Sequence, residues 1–262
     1  MKLSRKKLFK GRAYPIEIEH LLLQAEKALK TWEPIWTLFT PAPIREQTLK
    51  LLNEVADISF ISNGGFPNAE RQRILFQRRE QEELILEQEL PISGIEIQGN
   101  FLFDRTNPND FLNALRETKV KPNEIGDIFL TGDRGAQAIC TPSVSKSLNN
   151  TKGIIRDVEI EYKALSLEDL RLPTQRLPKT IKTVEASKRL DAIASAGFGL
   201  SRAKIIKQIQ AGKLRLNWHQ VNNPSRQLQL GDKIQLEGKG SIEILHLELT
   251  KRERWRVELQ RQ

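Results

Sequence analysis

A chain of 262 residues with 39% hydrophobic content can bury more than one core, so two or three domains are expected rather than one. No apolar run reaches the roughly 18 residues of a membrane span, and no apolar stretch of about 7 to 15 residues follows the basic N-terminus as in a secretory signal, so a soluble, cytoplasmic protein is expected. The one cysteine, Cys140, excludes an internal disulfide and a thiolate-rich zinc site, and His20, His219 and His246 are scattered, so no metal and no cofactor is expected.

Charge becomes informative once it is located. The net charge is +9, and the residues from Lys179 onward hold 17 Lys and Arg against 8 Asp and Glu, whereas residues 1–178 hold 25 of each. The whole excess therefore sits in the last third. Such a local excess is the footprint of a nucleic-acid surface, although a solvated basic face has the same composition. Lys2, Arg5, Lys6, Lys7, Lys10 and Arg12 read as a flexible basic arm at the N-terminus.

Taken in order, Ile18, Leu21, Leu22, Ala25 and Leu29 repeat with helical period and predict a helix over 16–32, which Pro34 ends. Leu49, Leu52, Val55 and Ala56 predict a second helix over 45–56, so residues 1–70 read as a helical unit with a basic arm. Apolar alternation on both sides of Asn63-Gly64-Gly65-Phe66-Pro67 predicts two short strands about a turn; the glycines lack the spacing of a phosphate-binding loop. Residues 71–170 read as a central ferredoxin-like domain with a βαββαβ pattern. Its strands are expected at PISGIEIQG, NFLF, DIFLTGD, AQAICTP and, as one long strand, GIIRDVEIEYKAL. One helix, NDFLNALRETK, is expected to be capped by Asn109 or Asp110, and a short one to follow at SVSKSLNN. The pattern of alternating aromatics with which such sheets stack RNA bases is missing, so this domain reads as a scaffold, with Asp127, Asp133 and Arg134 as turn residues beside a hairpin. Pro173 and Pro178 mark a linker over 171–180, ahead of a C-terminal domain over 181–262.

That last domain carries the densest signal. Ser201 is suited to cap the helix RAKIIKQIQ, and Gly212 to stop it. At about 100° per residue, Ile205, Ile206 and Ile209 share one face while Lys204 and Lys207 project from the opposite one. Arg202 lies over the apolar side in the first turn, its stem packed and its head in solvent, beside a helix N-terminus that attracts phosphate. Leu214 and Leu216 alternate with Arg215, which faces outward. The turn over Asn217 to Gln220 follows, and Gly231-Asp232 opens the strand KIQLEGKG.

Arg189-Leu190-Asp191, Ser201-Arg202, Gly212-Lys213, Leu216-Asn217, Gly231-Asp232 and Gly238-Lys239-Gly240 together resemble, in order and spacing, the S-four RNA-binding domain, over about 182–245. NGGFPNAERQRILF, EIGDIFLTGDRGAQAIC, Leu216-Asn217-Trp218 and Trp255-Arg256-Val257 extend the resemblance to the YlmH type. The chain is also similar to that family's cyanobacterial and plastid branch, which carries a photosystem II label. The resemblance implies an α+β protein that ends in an S-four domain and has no catalytic role. Its implied partners are structured RNA, meaning large-subunit ribosomal RNA and tRNA, and the ribosome, in quality control of stalled nascent chains; no DNA is implied. A plastid member would reside in the stroma. By position, Arg189, Arg202, Lys204, Lys207, Lys213 and Arg215 inherit the RNA-contact role, directed at phosphates and A-form shape. His219 departs from the basic residues common at its position.

Two other classes remain in view. Pseudouridine synthases carry the same appended domain and a catalytic Arg-Leu-Asp, which would make Asp191 a nucleophile; its place immediately before the Ser201-Arg202 helix instead makes it a structural residue of the first helix. A methyltransferase is disfavoured because no glycine-rich strand-to-helix turn is present. A photosystem II assembly or repair adaptor, acting through protein contacts, is the other alternative.

Overall fold

The computed structural model describes residues 3–11, 13–81, 89–172, 178–237 and 239–262. The chain divides into two compact units, residues 1–173 and 174–262. Lys2, Arg12, Gly238 and residues 173–177, half of the expected linker, lie outside the described residues.

The first unit opens with α1 (Arg5–Phe9), α2 (Ile16–Thr31), β1 (Ile35–Trp36), β2 (Thr40–Pro41), α3 (Ala42–Leu52), β3 (Ile58–Asn63) and β4 (Arg71–Arg78). The amphipathic period of α2 puts Ile18, Leu22, Ala25 and Leu29 into one core with Leu52, Ile58, Ile74 and Phe76. Strand β4 pairs antiparallel with β1, β2 and β3. It also ties down the end of α2: Arg78 Nε donates to the Leu29 carbonyl at 3.0 Å, and its guanidinium lies 3.6 Å above the Trp32 ring.

Three expectations change here. The helical unit is three helices with a four-stranded sheet. A boundary at 70/71 would cut that sheet through the β3–β4 ladder, whose pairs run from Ile58 with Arg78 to Asn63 with Arg73. The flexible arm is folded: Leu3 and Leu8 are buried beside α2, Arg5 pairs with Glu19 at 2.7 Å and Glu26 at 2.9 Å, and Lys10 reaches Glu54 at 2.8 Å. Burial of its apolar side chains, masked in the sequence by the surrounding cations, fixes that segment.

The unit continues with β5 (Ser93–Gly99), α4 (Pro108–Glu117), β6 (Ile125–Leu130), β7 (Gly135–Cys140), α5 (Pro142–Leu148), β8 (Lys152–Ile155) and β9 (Val158–Leu165), in an antiparallel sheet of order β6-β7-β5-β9-β8. Leaving out the edge strand β8, this is the strand order of a ferredoxin-like sheet. Period-two burial sends Ile95, Ile97, Ala136, Ala138, Ile160 and Tyr162 toward Phe111 and Leu115 of α4 and Val144 of α5. Cys140 lies in the same core, and burial pushes its thiol up to about 12, far from a reactive thiolate.

Local chemistry corrects three details. NFLF is not a strand: Phe101 turns inward against Phe111, while Phe103 is 96% exposed. The expected long strand breaks into the β8–β9 hairpin at Arg156, whose φ of 54° no strand tolerates. The cap of α4 is Asn107, which accepts from Asn109 N at 2.9 Å while Asp110 accepts from Asn107 N at 2.8 Å, with Pro108 in the first turn.

The two sheets of this unit meet at residues 63–71. Gly65, at φ +91°, is packed so closely that a Cβ would stand 2.9 Å from Ile92 and 3.0 Å from Ile139 and Leu167. Asp127 is not a turn residue. It sits where the β6–β7 register shifts, and its carboxylate accepts from Glu70 N at 2.7 Å and Arg71 N at 2.9 Å. Arg71 returns the tie by donating to the carbonyls of Ile125 and Pro122, both at 2.8 Å. Asp133 and Arg134 do lie in the tight turn between β6 and β7.

The second unit holds β10 (Lys179–Glu185), α6 (Leu190–Phe198), α7 (Arg202–Gln210), β11 (Leu214–Leu216), β12 (His219–Gln220), β13 (Lys233–Leu236), β14 (Gly240–Leu249) and β15 (Trp255–Arg261), with sheet order β10-β15-β14-β13-β11-β12. Leu190, Ile193 and Phe198 of α6 and Ile205 and Ile209 of α7 pack on Leu214, Ile234, Ile242, Val257 and Leu259. Among the described residues, no helix is long and apolar enough to cross a membrane, and no group of His, Cys, Asp and Glu is placed to hold a metal ion.

Asp127→Ala strands two backbone donors and is expected to cost about 2 to 4 kcal/mol in urea unfolding of the full chain, with Asp127→Asn, which keeps one acceptor, costing less. Burial holds the Asp127 carboxyl above its ordinary value. Its contribution is therefore largest at acid pH and declines as pH rises through the raised value, so the gap between wild type and Asp127→Asn should narrow with rising pH.

Candidate nucleic-acid interface

The interface is built on two short helices of the second unit and the strand that follows them. Ser201 accepts from Lys204 N at 3.3 Å and starts α7; Ala211 ends it, and Gly212, at φ +70°, turns the chain into β11. Ile205 and Ile209 are buried, whereas Ile206, expected beside them, is half-buried at the helix flank. Lys204 and Lys207 stand exposed on the far side, and among the described residues neither side chain has an ion-pair or hydrogen-bond partner.

Arg189 and Arg202 are brought together by Asp191. Its side chain is only 5% exposed, and it accepts a two-pronged contact from Arg189, Nε to Oδ1 and a terminal nitrogen to Oδ2, each at 3.0 Å. An Arg202 nitrogen stands 3.7 Å from the same Oδ1. The hydrogen bond to Asp191 raises the Arg189 pKa further, so the guanidinium is charged at every relevant pH. The arginines remain 39% and 52% exposed, which leaves part of each guanidinium facing solvent. Backbone bonds fix the base of this cluster: Leu190 N donates to the Arg226 carbonyl at 2.8 Å, Asp191 N to that of Pro224 at 3.0 Å, and Leu228 N to that of Lys188 at 2.9 Å.

Lys213, just before β11, and Arg215, at its middle, are exposed. The hairpin from β11 to β12 turns on Asn217 and Trp218, both at positive φ (50° and 70°), the arrangement of a two-residue type I′ turn. Asn217 is held by Asp232 at 2.8 Å and accepts from Lys233 N at 2.9 Å, while Lys233 Nζ lies 5.3 Å from the centre of the Trp218 ring. The six expected contact residues thus fall into an Asp191-tied pair, an outer pair on α7, and two on β11. Sequence reading missed Lys188, whose Nζ lies 5.0 Å from the centre of the Trp255 ring, because their separation in the chain hides the contact.

The ferredoxin-like sheet offers no such surface. A pocket on the side of the sheet away from α4 and α5 is lined by Glu96, Gln98, Arg134, Lys152, Glu159 and Glu161, of mixed charge and with no aromatic residue among its lining.

Parts of the chain match known families. Residues 15–81 match the YlmH N-terminal family, and residues 188–234 match the S4 domain, which spans α6, α7, the β11–β12 hairpin and the start of β13. The chain joins a YlmH N-terminal domain to an S4 domain. A curated relative, the ribosome-associated protein quality control protein P2 of Bacillus subtilis (strain 168), is 27% identical over 221 residues, 83% of this chain and 84% of its own. A solved structure, the cell division protein ylmH from Streptococcus pneumoniae, aligns with a TM-score of 0.43 at 15% identity, covering 60% of this chain and 96% of its own.

Within the S4 domain, Asp191→Asn removes the charge that both arginines share. It is expected to lower the thermal midpoint of the second unit and to raise the mobility of the Arg189 and Arg202 Nε–H groups in NMR relaxation. Unchanged relaxation at both would dismiss the clamp.

Proposed function

We propose that this protein is a non-catalytic RNA-binding protein that uses its S4 domain to grip structured RNA of the ribosome, ribosomal RNA or tRNA, in quality control of stalled nascent chains. The observation that carries the reading is the cationic outer face of α7, Lys204 and Lys207, beside the Asp191-tied arginines. Free ammonium groups on a rigid helix and fixed guanidiniums with spare donors together fit the phosphates of an A-form backbone. The S4 match supports RNA as the ligand, and the name of the Bacillus subtilis relative supports the ribosomal setting. By position, Lys213 and Arg215 would extend the same contact along β11.

The buried state of Asp191 argues against an enzyme of the pseudouridine synthase kind. A nucleophilic carboxylate must reach its substrate, and this one is enclosed and engaged by two arginines.

Lys204→Glu combined with Lys207→Glu is expected to abolish co-sedimentation with ribosomes, with an unchanged circular dichroism spectrum. Wild-type affinity for ribosomal RNA should fall linearly in log K against log salt, at about 0.9 per phosphate contacted; a flat plot, or normal sedimentation of the double variant, would remove the reading. In cells, Asp191→Asn is expected to leave the map of ribosomal RNA modifications unchanged, and loss of a single pseudouridine would restore the enzyme alternative.

A further inference from the structure

We infer that the β14–β15 hairpin tip is a second phosphate-binding element, outside the matched S4 segment, which extends the RNA footprint along one end of the sheet. This rests on the RNA-binding reading above and adds a surface to it.

Topology carries the first step. Strand β13 begins at Lys233, opposite Glu243, but β14 runs on to Leu249 alongside β15, roughly 20 Å of strand beyond that last pair. The β11–β12 turn lies at the Lys233 end of the sheet, because Leu216 pairs with Ile234 and Asn217 N donates to the Lys233 carbonyl at 2.8 Å. The tip at 250–254 therefore projects from the same end as the turn at Asn217 and Trp218. Strand β10 also finishes there, with Glu185 opposite Trp255, and its chain leads directly into Lys188 and Arg189.

Side-chain contacts carry the second step. Lys188 sits over Trp255, the first residue of β15, so the cluster of Arg202, Asp191 and Arg189 continues through Lys188 to the root of the hairpin.

Charge supplies the third. The tip reads Thr250-Lys251-Arg252-Glu253-Arg254, and Lys251, Arg252 and Arg254 are all exposed with no ion-pair or side-chain hydrogen-bond partner among the described residues. Arg256, by contrast, is engaged by Glu248 at 3.3 Å and is left out of the set. Exposed cations cost side-chain entropy to order, and a polyanion offsets it through counterion release. Exposed Val184 and Leu249 flank the tip but are too few to replace that driving force.

The test compares the full chain with Lys251→Glu/Arg252→Glu/Arg254→Glu and with the corresponding triple alanine variant, fold being checked by circular dichroism. The probes are fluorescent synthetic RNA hairpins, one with a stem of about 16 base pairs, the span of a double-stranded-RNA module, and one cut to a third of that. In anisotropy titrations on the long stem, the log K against log salt slope should shrink by about 0.9 for each phosphate that the variant no longer neutralises, about two to three phosphates in all. On the short stem the variants should match wild type. Wild-type behaviour of both triple variants on the long stem, with binding abolished by Lys204→Glu/Lys207→Glu, overturns this proposal and leaves the RNA-binding reading in place. If neither set alters binding, both fall. Retained RNA affinity with loss of ribosome co-sedimentation would assign the tip to a protein partner and overturn it as well.

Discussion

The second unit depends on one buried carboxylate. Asp191 is placed by backbone bonds that leave it little freedom, since its own N–H and that of Leu190 are committed to the 224–226 loop. A carboxylate held at 5% exposure must be paired or neutralised, and two arginines from different elements pair it. The consequence lies on the surface. Arg189 commits two of its five donors to Asp191 and keeps the rest for solvent. Its side chain is already ordered, so a ligand that meets it does not have to immobilise it.

The same division of donors explains why charge located along the sequence separates the two units. In the first unit several arginines are engaged at backbone carbonyls. Arg45 donates to Glu70, Arg71 to Ile125 and Pro122, and Arg73 to Thr37 and Pro91. Burial lowers the pKa of all three, the mark of cations used as internal braces rather than displayed. In the second unit, Lys204, Lys207, Lys251, Arg252 and Arg254 carry no such duty. Net charge located the surface because the first 178 residues balance 25 cations with 25 acids, whereas the last third does not.

What the sequence made legible follows from the range of the interactions involved. The Ser201 cap, the Gly212 stop and the division of α7 into apolar and cationic sides are set by neighbours within one or two turns, and only Ile206 is displaced, to the flank. The ferredoxin-like order was readable because alternation marks each strand. Other misread features depend on a partner distant in the chain. Leu3 and Leu8 fold the N-terminal cations only because α2 offers them a core, and β4 belongs to the first sheet because β3 pairs with it. Asp127 looked like a hairpin residue because nothing near it in the sequence reveals that it holds the amides of Glu70 and Arg71. The resemblance pointed to Arg189 and Arg202 as candidate contact residues, but that they share one carboxylate is a tertiary fact.

The cations of the S4 surface then divide by stiffness, and the division bears on what they can read. Arg189 is held by two hydrogen bonds to Asp191 and Arg202 is drawn toward the same carboxylate, so on the proposed reading they would favour a set distance between phosphates, whereas Lys204 and Lys207, flexible chains on a rigid helix, would tolerate variation in where a phosphate lies. A surface with only the second kind would bind any polyanion. One with only the first would demand a geometry before any attraction could build. On the proposed RNA-binding reading, the two together would let long-range attraction gather the RNA and the tied arginines select for backbone spacing, a recognition of shape rather than of bases. The polar, mixed-charge pocket on the sheet of the first unit fits the same reading, since stacking on aromatics would read sequence whereas tied guanidiniums would read form.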